Sequence, residues 1–343
     1  MSYAHRRHGT PLGRADRVLP GIWRLRLPLP WPGVPHVNVW ALQAGDGIVL
    51  VDTGYHEEES LGELERTLAL IDRRLEDVSL VVCTHAHSDH YGLAAPIVER
   101  AGCELWMHPR HEHMTRGIED PERSLERRVE VARQSGVPVE PLRRWAQQRR
   151  DSNPGIAAVI EPHRELLPGT EVETDHGAWS VHETPGHAPS HVVLFQGEQR
   201  LLLSGDHLLG RVSLYFDHGW TPDPVAEFLD SLDTAAALDA RLCLPGHGRP
   251  FGDVGAHIAA NRAEIHAKID EIERAVVSTE ATAYELIPLA FPEFEPSMMG
   301  WALTIMLCFL THLERTGRVE CVRTPDEQEP ERWRGPAPTA ATP

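Results

Sequence analysis

The sequence predicts an α/β fold in which helices cover layers of strands. Short apolar runs rich in β-branched residues stand at residues 47–51 and 80–83, and such runs are typical of buried strands. Residues 57–75 instead place leucine and isoleucine at helical spacing with charged residues between them, which predicts an amphipathic helix lying on a sheet. Strands and helices that alternate in this way are typical of α/β layers.

The remaining elements of the main domain follow the same pattern. Residues 22–27 alternate in character and predict a first strand, and residues 37–44 and 47–51 flank a glycine-containing turn that predicts a hairpin. Beyond the run at 80–83, we expect a helix at 93–100, strands at 104–107, from 179, at 191–195 and at 200–203, a helix at 224–238 and a strand at 242–244.

A charged segment at residues 109–162 interrupts this alternation and predicts an inserted group of two or three helices. Residues 109–150 hold ten Arg against seven Asp and Glu, a net charge of +3 in a chain whose net charge is −18. A charged helix is usually a solvated face. The alternative is a lid that binds an anionic substrate, for which Arg143 and Arg144 are the candidate residues.

The C-terminal part is predicted to be helical. Residues 257–277, 281–289 and 301–315 each predict a helix, and residues 317–322 predict a short strand. We expect residues 1–256 to form the main domain, residues 257–324 a C-terminal helical domain, and residues 325–343, rich in Pro, Glu and Ala, a disordered tail.

Four potential metal ligands follow the strand at residues 80–83. Side chains two apart in an extended segment point the same way, so His85 and His87 can converge on one ion, and Asp89 and His90 are placed for a second. Nitrogen and oxygen ligands of this kind suit Zn²⁺, with Fe or Mn as alternatives. A histidine-rich surface loop is the competing interpretation, because the chain has 21 His.

Three later fragments place a ligand type at the end of a strand-like run. They are Pro185-Gly186-His187, Ser204-Gly205-Asp206-His207 and Pro245-Gly246-His247-Gly248. Together with Asp52-Thr53-Gly54, this set resembles the metallo-β-lactamase superfamily in order and spacing over residues 37–256. The resemblance implies an αββα sandwich that holds two divalent metal ions. It assigns His85, His87 and His187 to the first ion, Asp89, His90 and His247 to the second, and Asp206 as the bridge.

The same resemblance implies a hydrolase in which a metal-bridging hydroxide, oriented by Asp89, attacks a carbonyl carbon. No second acid stands out near the ligand motifs, which favours a leaving group that departs unaided. A thiol has a pKa of about 8.5, so thioesters of the acyl-CoA or acyl-glutathione type come first, followed by lactones and esters. Tyr215 is either a donor to the substrate carbonyl or a core residue.

The C-terminal helices resemble the winged-helix appendage of some metallo-β-lactamase-fold hydrolases, including an endoribonuclease-like group. Residues 257–316 contain four Lys and Arg against nine Asp and Glu, so a nucleic-acid partner is not expected. An endoribonuclease and a sulfur dioxygenase with a single iron remain alternative enzymes. A non-catalytic sensor on this fold would be expected to have lost ligands, and none is missing.

Net charge and cysteine content indicate which binding partners and which cellular compartment to expect. A net charge of −18 disfavours nucleic-acid and anionic-membrane partners. Five cysteines without paired spacing suit a reducing cytosol, and the polar N-terminus has no secretory signal pattern. We therefore expect a cytoplasmic protein with a small-molecule substrate, and a homodimer is left open.

Overall fold

Two β-sheets pack face to face at the centre of the molecule. A computed structural model describes residues 13–31, 33–292, 298–323 and 329–336. The strands of the first sheet are β1 Arg14–Leu19, β2 Ile22–Trp31, β3 Val34–Ala44, β4 Gly47–Val51, β5 Val78–Cys83, β6 Glu104–Met107 and β7 Arg164–Glu165. They lie in chain order, antiparallel from β1 to β4 and parallel from β4 to β7.

The strands of the second sheet are β8 Glu171–Thr174, β9 Gly177–Glu183, β10 Val192–Gln196, β11 Leu201–Gly205 and β12 Leu242–Pro245. Their order in the sheet is β12-β11-β10-β9-β8, and all neighbours are antiparallel except the parallel pair β11 and β12. Between the two sheets, Trp40 and Val82 of the first share a buried core with Trp179 and Leu203 of the second. Alternate residues of each strand supply this core because successive side chains point to opposite faces.

Helices cover both outer faces, which completes the predicted αββα sandwich. On the first sheet, Leu64 and Leu68 of one helix and Ile97 of another bury their apolar face against the strands. On the second sheet, Phe228 and Leu232 pack in the same way. The covering helices are α1 Ser60–Ala69, α2 Ser88–Tyr91 and α3 Ala94–Ala101 on the first side, and α7 Pro224–Ala237 on the second.

Local differences from the predicted elements have physical causes. The helix expected at residues 57–75 is shorter, because the chain turns at Asp72 with a φ of 55° and a 3₁₀ turn follows at Leu75–Asp77. The strand β1 was not predicted. Its side chains are only partly buried, so it lacks the apolar pattern that marks a buried strand.

The charged segment at residues 109–162 contains three helices, α4 Glu112–Glu119, α5 Pro121–Gln134 and α6 Val139–Arg150. Their thin apolar stripe, which includes Ala132 and Leu142, joins the core of the C-terminal helices. Two backbone hydrogen bonds reinforce this contact: Tyr284 N donates to Ser135 O at 3.0 Å, and Glu331 N donates to Gln134 O at 2.8 Å. The insertion is therefore seated on the C-terminal elements.

The C-terminal elements are α8 Val254–Ser278, α9 Ala283–Ala290, α10 Met299–Arg315, β13 Glu320–Val322 and β14 Arg332–Arg334. One buried core contains both Leu202 of β11 and Leu310 of α10, so packing is continuous across residue 256. The proposed division into domains and the winged-helix identity stay predictions. Among the described residues, no helix is both long enough and apolar enough to cross a bilayer.

The prediction of a disordered tail from residue 325 is wrong for residues 329–336. Strand β14 pairs with β13 in antiparallel register, and Trp333 exchanges backbone hydrogen bonds of 2.7 and 3.1 Å with Ala281. The Trp333 side chain is 4% exposed, and its burial supplies the apolar contact that the tail's overall composition conceals. The rest of the predicted tail, residues 325–328 and 337–343, lies outside the described residues.

Candidate metal centre

The predicted ligands meet where several strands end at the same edge of the sandwich. Strand β5 ends at Cys83 and leads into the loop with His85 and His87, and Asp89 and His90 follow in the short helix α2. Strands β11 and β12 are parallel neighbours, so Asp206 and His247 follow adjacent strand ends. Gly246 N donates to Gly205 O at 2.7 Å and fixes that proximity.

The first cluster consists of three imidazoles. His87 Nδ1 lies 3.1 Å from His85 Nε2 and 3.0 Å from His187 Nε2. Three ring nitrogens this close form a compact set of donors, which is the arrangement that a transition-metal ion with nitrogen ligands requires. The spacing argument that paired His85 with His87 is consistent with this geometry, and His187, which the family resemblance assigned to the same ion, joins them from the loop after β9.

The second cluster combines a carboxylate with two imidazoles. Asp89 Oδ2 lies 3.2 Å from His247 Nε2 and 3.6 Å from His90 Nε2. Asp206 lies between the clusters: its Oδ2 is 3.2 Å from His247 Nε2 and 3.9 Å from His187 Nε2. The structure therefore brings all seven predicted ligand side chains together, with Asp206 adjacent to both groups.

Each imidazole is fixed by a partner on its other ring nitrogen. His187 Nδ1 donates to Tyr215 O at 3.1 Å, and His247 Nδ1 donates to His36 O at 3.0 Å. His90 Nδ1 donates to the Asp52 carboxylate at 2.8 Å. Because these nitrogens carry the proton, Nε2 of each ring is the one directed at the cluster, and such partners normally set the tautomer of a metal ligand.

Asp52 organises two of these rings. Its carboxylate also accepts from Thr84 N at 2.8 Å and from the Thr84 hydroxyl at 3.0 Å, which leaves Thr84 Oγ1 to accept from His85 Nδ1 at 3.0 Å. Asp52 has a φ of 66°, a left-handed conformation that aspartate tolerates better than most residues. The Asp52-Thr53-Gly54 motif was used for the family resemblance, but this orienting role was not predicted from the sequence.

A third group, His113 and Asp217 beside His87, was missed by the sequence analysis. Asp217 Oδ2 lies 3.0 Å from His87 Nε2 and 2.8 Å from His113 Nδ1, and His113 Nε2 lies 2.7 Å from Ser190 Oγ. These residues come from three distant parts of the chain and carry no recognisable spacing. Asp217 thus performs for His87 the orienting role that Asp52 performs for His90.

Burial and neighbouring charges set the protonation of the cluster. Burial, assisted by His87, lowers the pKa of His187 to about 4, and burial and the surrounding imidazoles hold the pKa of His85 well below its usual value. Burial opposes ionisation of Asp206, but His247 and His90 hold its pKa well below the usual range. Burial opposes protonation of His87, His90 and His247, but the neighbouring carboxylates raise the pKa of all three, that of His247 to about 10. Metal ions bind neutral imidazoles and ionised carboxylates, so metal binding at these three rings would release protons.

The atoms of the cluster fit a pair of metal ions. His90 Nε2 and Asp206 Oδ1 are buried without a hydrogen-bond partner among the described residues, an arrangement that is costly unless a cation satisfies them. Gly246 keeps the space between them open: a Cβ there would lie 2.2 Å from Asp206 Oδ1 and 2.8 Å from His90 Cε1. The donor set of histidine nitrogen and carboxylate oxygen suits Zn²⁺, Fe or Mn.

The predicted substrate residues are not all brought to the site. The Tyr215 ring lies 5.6 Å from the rings of both His87 and His187, at the wall of a cleft of about 3280 Å³ that opens over the cluster. Arg144 lines the same cleft. Arg143 is not among the residues that line the cleft. Its guanidinium pairs with Glu140 at 2.8 Å, and its side chain is 71% exposed.

Fold and site together define a metal-dependent hydrolase. The family model of the metallo-β-lactamase superfamily matches residues 32–247, more than half of the 343 residues, and the chain belongs to this superfamily. Its membership makes the seven clustered side chains candidate metal ligands in an enzyme of this class.

Two relatives that match nearly the whole chain and one that matches part of it support the assignment. The chain is 26% identical over 320 residues to the probable metallo-hydrolase YqjP of Bacillus subtilis, covering 91% of this chain and 94% of that protein. The crystal structure of the metallo-β-lactamase family protein TTHA1429 of Thermus thermophilus superposes with a TM-score of 0.79 at 28% identity, covering 93% of this chain and 99% of that one. The hydroxyacylglutathione hydrolase GloC of Haemophilus influenzae is 24% identical over 147 residues, covering 43% of this chain and 58% of that protein.

Proposed function

We propose that this enzyme holds two divalent metal ions, most simply Zn²⁺, and hydrolyses a thioester of the acyl-CoA or acyl-glutathione type. The observation that carries the proposal is the pair of ligand clusters with Asp206 close to both. In this proposal, His85, His87 and His187 would hold one ion, Asp89, His90 and His247 the other, and Asp206 would bridge the two. Two ions held by these residues would supply a water of pKa near 7 and a Lewis acid for a carbonyl oxygen.

The side chains around the clusters then position the reactants. Asp89 is buried and, although burial opposes its ionisation, His90 and His247 lower its pKa, so it is an acceptor able to orient an attacking water. Burial raises the pKa of the Tyr215 phenol, so this group stays protonated and can donate to the carbonyl oxygen of the substrate. Both residues line the cleft through which a substrate would approach.

The thioester is favoured by the leaving group. A thiolate, with a reference pKa of about 8.5, departs more readily than an alkoxide and needs no acid beside it. The similarity to a hydroxyacylglutathione hydrolase over part of the chain supports this choice. Lactone and ester hydrolysis is the alternative within the same chemistry.

Replacing Asp89 by Ala tests the proposal together with a substrate panel. Wild-type protein should hydrolyse an acyl-CoA or an acyl-glutathione faster than a lactone or an RNA oligonucleotide. Asp89→Ala should lower kcat by at least about a hundredfold, as expected for the loss of a major catalytic group. Near-normal turnover by Asp89→Ala would remove this residue from the mechanism, and turnover that consumes oxygen would exclude a hydrolase.

A further inference from the structure

Within the described residues, five arginines of α5 and α6 line the cleft without a carboxylate partner: Arg123, Arg127, Arg128, Arg144 and Arg149. Among them, Arg128 and Arg149 are the two whose charges act on each other and on Tyr215. Arg128 on α5 and Arg149 on α6 line the cleft that also contains His187, Asp206 and His247. Within the described ranges of the chain, no ion pair with a carboxylate and no side-chain hydrogen bond involves either guanidinium. Both side chains remain accessible to solvent inside the cleft.

Three other arginines of these helices are paired with a carboxylate. Arg133 pairs with Glu130 at 2.6 Å, Arg143 with Glu140 at 2.8 Å and Arg150 with Glu122 at 3.4 Å. In a chain with 51 Asp and Glu against 33 Lys and Arg, carboxylates are abundant enough to neutralise most exposed arginines. Two adjacent guanidinium groups without such a partner repel each other and favour an anion between them.

The positions of these arginines relative to the metal centre follow from their neighbours. Burial in the cleft and the nearby charge of Arg128 lower the pKa of Arg149, and Tyr215 and Tyr55 oppose that shift. Burial raises the pKa of Tyr215, and the charges of Arg128 and Arg149 counteract the rise. Both arginines are therefore near Tyr215, whose ring is 5.6 Å from the rings of His87 and His187.

We propose that Arg128 and Arg149 form an oxyanion-binding site that holds a phosphate or carboxylate group of the substrate while its carbonyl lies beside Tyr215 at the metal centre. This inference rests on the proposed function and names the class of substrate: an anionic thioester. Arginine suits the task because its planar guanidinium can make two parallel hydrogen bonds to either kind of oxyanion. The phosphates of coenzyme A and the carboxylates of glutathione are the two sources of that chemistry.

The kinetic experiment compares one acyl group on three thiols: coenzyme A, glutathione and the neutral N-acetylcysteamine. Arg128→Ala and Arg149→Ala are each measured against the wild type, with Arg133→Ala as the matched control, because Arg133 is on α5 and is paired with Glu130. Each cleft variant should lose about ten- to a hundredfold in kcat/KM on one anionic thioester and little on the neutral one. Arg133→Ala should match the wild type on all three.

A binding measurement separates this site from the proposed reaction. Calorimetry on the metal-loaded protein uses 3′-phosphoadenosine 5′-diphosphate, the phosphate part of coenzyme A, and S-methylglutathione, neither of which has a free thiol. The wild type should bind one of them, and Arg149→Ala should weaken that binding about tenfold or more. If a probe binds in an arginine-dependent way but no thioester is hydrolysed, the proposed reaction is refuted while the proposed oxyanion-binding site is supported.

Three results would overturn the oxyanion site. The first is wild-type protein that binds neither probe. The second is kcat/KM and binding that are unchanged in both Arg128→Ala and Arg149→Ala while thioesters are hydrolysed normally. The third is an equal loss on neutral and anionic thioesters, which would mean that the arginines act on the shape of the cleft. Thermal unfolding of each variant excludes loss of folding as the cause.

Discussion

At the scale of single residues, the metal centre depends on side chains that would not themselves contact an ion. Asp52 and Asp217 each accept from the ring of a predicted ligand, His90 in one case and His87 in the other. These contacts hold the opposite nitrogen of each ring toward the cluster. Outer partners of this kind raise the basicity of the ligand and reduce the freedom it loses on binding.

We predict that Asp52→Asn and Asp217→Asn each lower metal affinity by about ten- to a hundredfold, the scale typical of losing such a partner. The amide keeps the shape of the carboxylate but removes its charge. At Asp52, where one oxygen accepts from Thr84 N and the other from His90 Nδ1, the NH₂ group must also face a donor. Competition with a chromophoric chelator measures the change. Glu112→Gln, at an exposed ion pair on α4, is the control and should leave the affinity unchanged. Wild-type affinity in both aspartate variants would contradict the orienting role.

At the scale of elements, the C-terminal helices are attached to the sandwich through polar contacts as well as apolar packing. Asp223 precedes α7 and its side chain accepts from Ala226 N at 3.0 Å, as a helix cap does. The same carboxylate lies 3.0 Å from His312 Nδ1 on α10. One side chain therefore stabilises the start of a sandwich helix and its contact with the C-terminal region.

This contact predicts a pH dependence of stability. Burial opposes ionisation of Asp223, but His312 and the Ala226 amide lower its pKa below the usual value. A depressed carboxyl pKa contributes stability above the unfolded-state pKa of about 3.9, and that contribution is lost as the pH falls through the folded-state value. Asp223→Ala should lower the free energy of unfolding by about 0.5–2 kcal/mol at pH 7.

Urea unfolding at pH 7 and at pH 3 measures this effect. The difference between wild type and Asp223→Ala should shrink at pH 3, where the carboxyl group is increasingly protonated. Asp223→Asn separates the two roles, because Asn also caps helices well and removes only the charge. A difference that is equal at both pH values would assign the whole effect to the uncharged cap.

At the scale of the whole molecule, the features that could be predicted from the sequence are those that depend on patterns within short segments of the chain. The α/β layers and the local group His85, His87, Asp89 and His90 follow from apolar runs and from spacing along one loop, and the αββα arrangement was implied by the family resemblance. Asp217 and His113 could not be found in this way, because they reach His87 from distant segments with no motif of their own. The strand β14 was missed for a similar reason, since its pairing with β13 depends on the burial of one residue, Trp333.

The continuity of the core explains where the insertion lies. Residues of α5 and α6 share buried contacts with α10, and α10 in turn packs with the helix that covers the second sheet. Arg128 and Arg149 are therefore on helices that pack against the C-terminal core, and they line the cleft that also contains the ligand clusters. Charge in the sequence located the insertion, but only the structure shows that Arg128 and Arg149 line the cleft while Arg143 is exposed and paired with Glu140.

The most direct test of the central claim is the metal content of purified protein and of two single-ligand variants. Elemental analysis should find two transition-metal ions per wild-type chain. His187→Ala and His247→Ala should each retain about one, because each removes a ligand from a different cluster while Asp206 remains. One ion per wild-type chain at full occupancy, with the metal content of His247→Ala unchanged, would contradict the dinuclear centre.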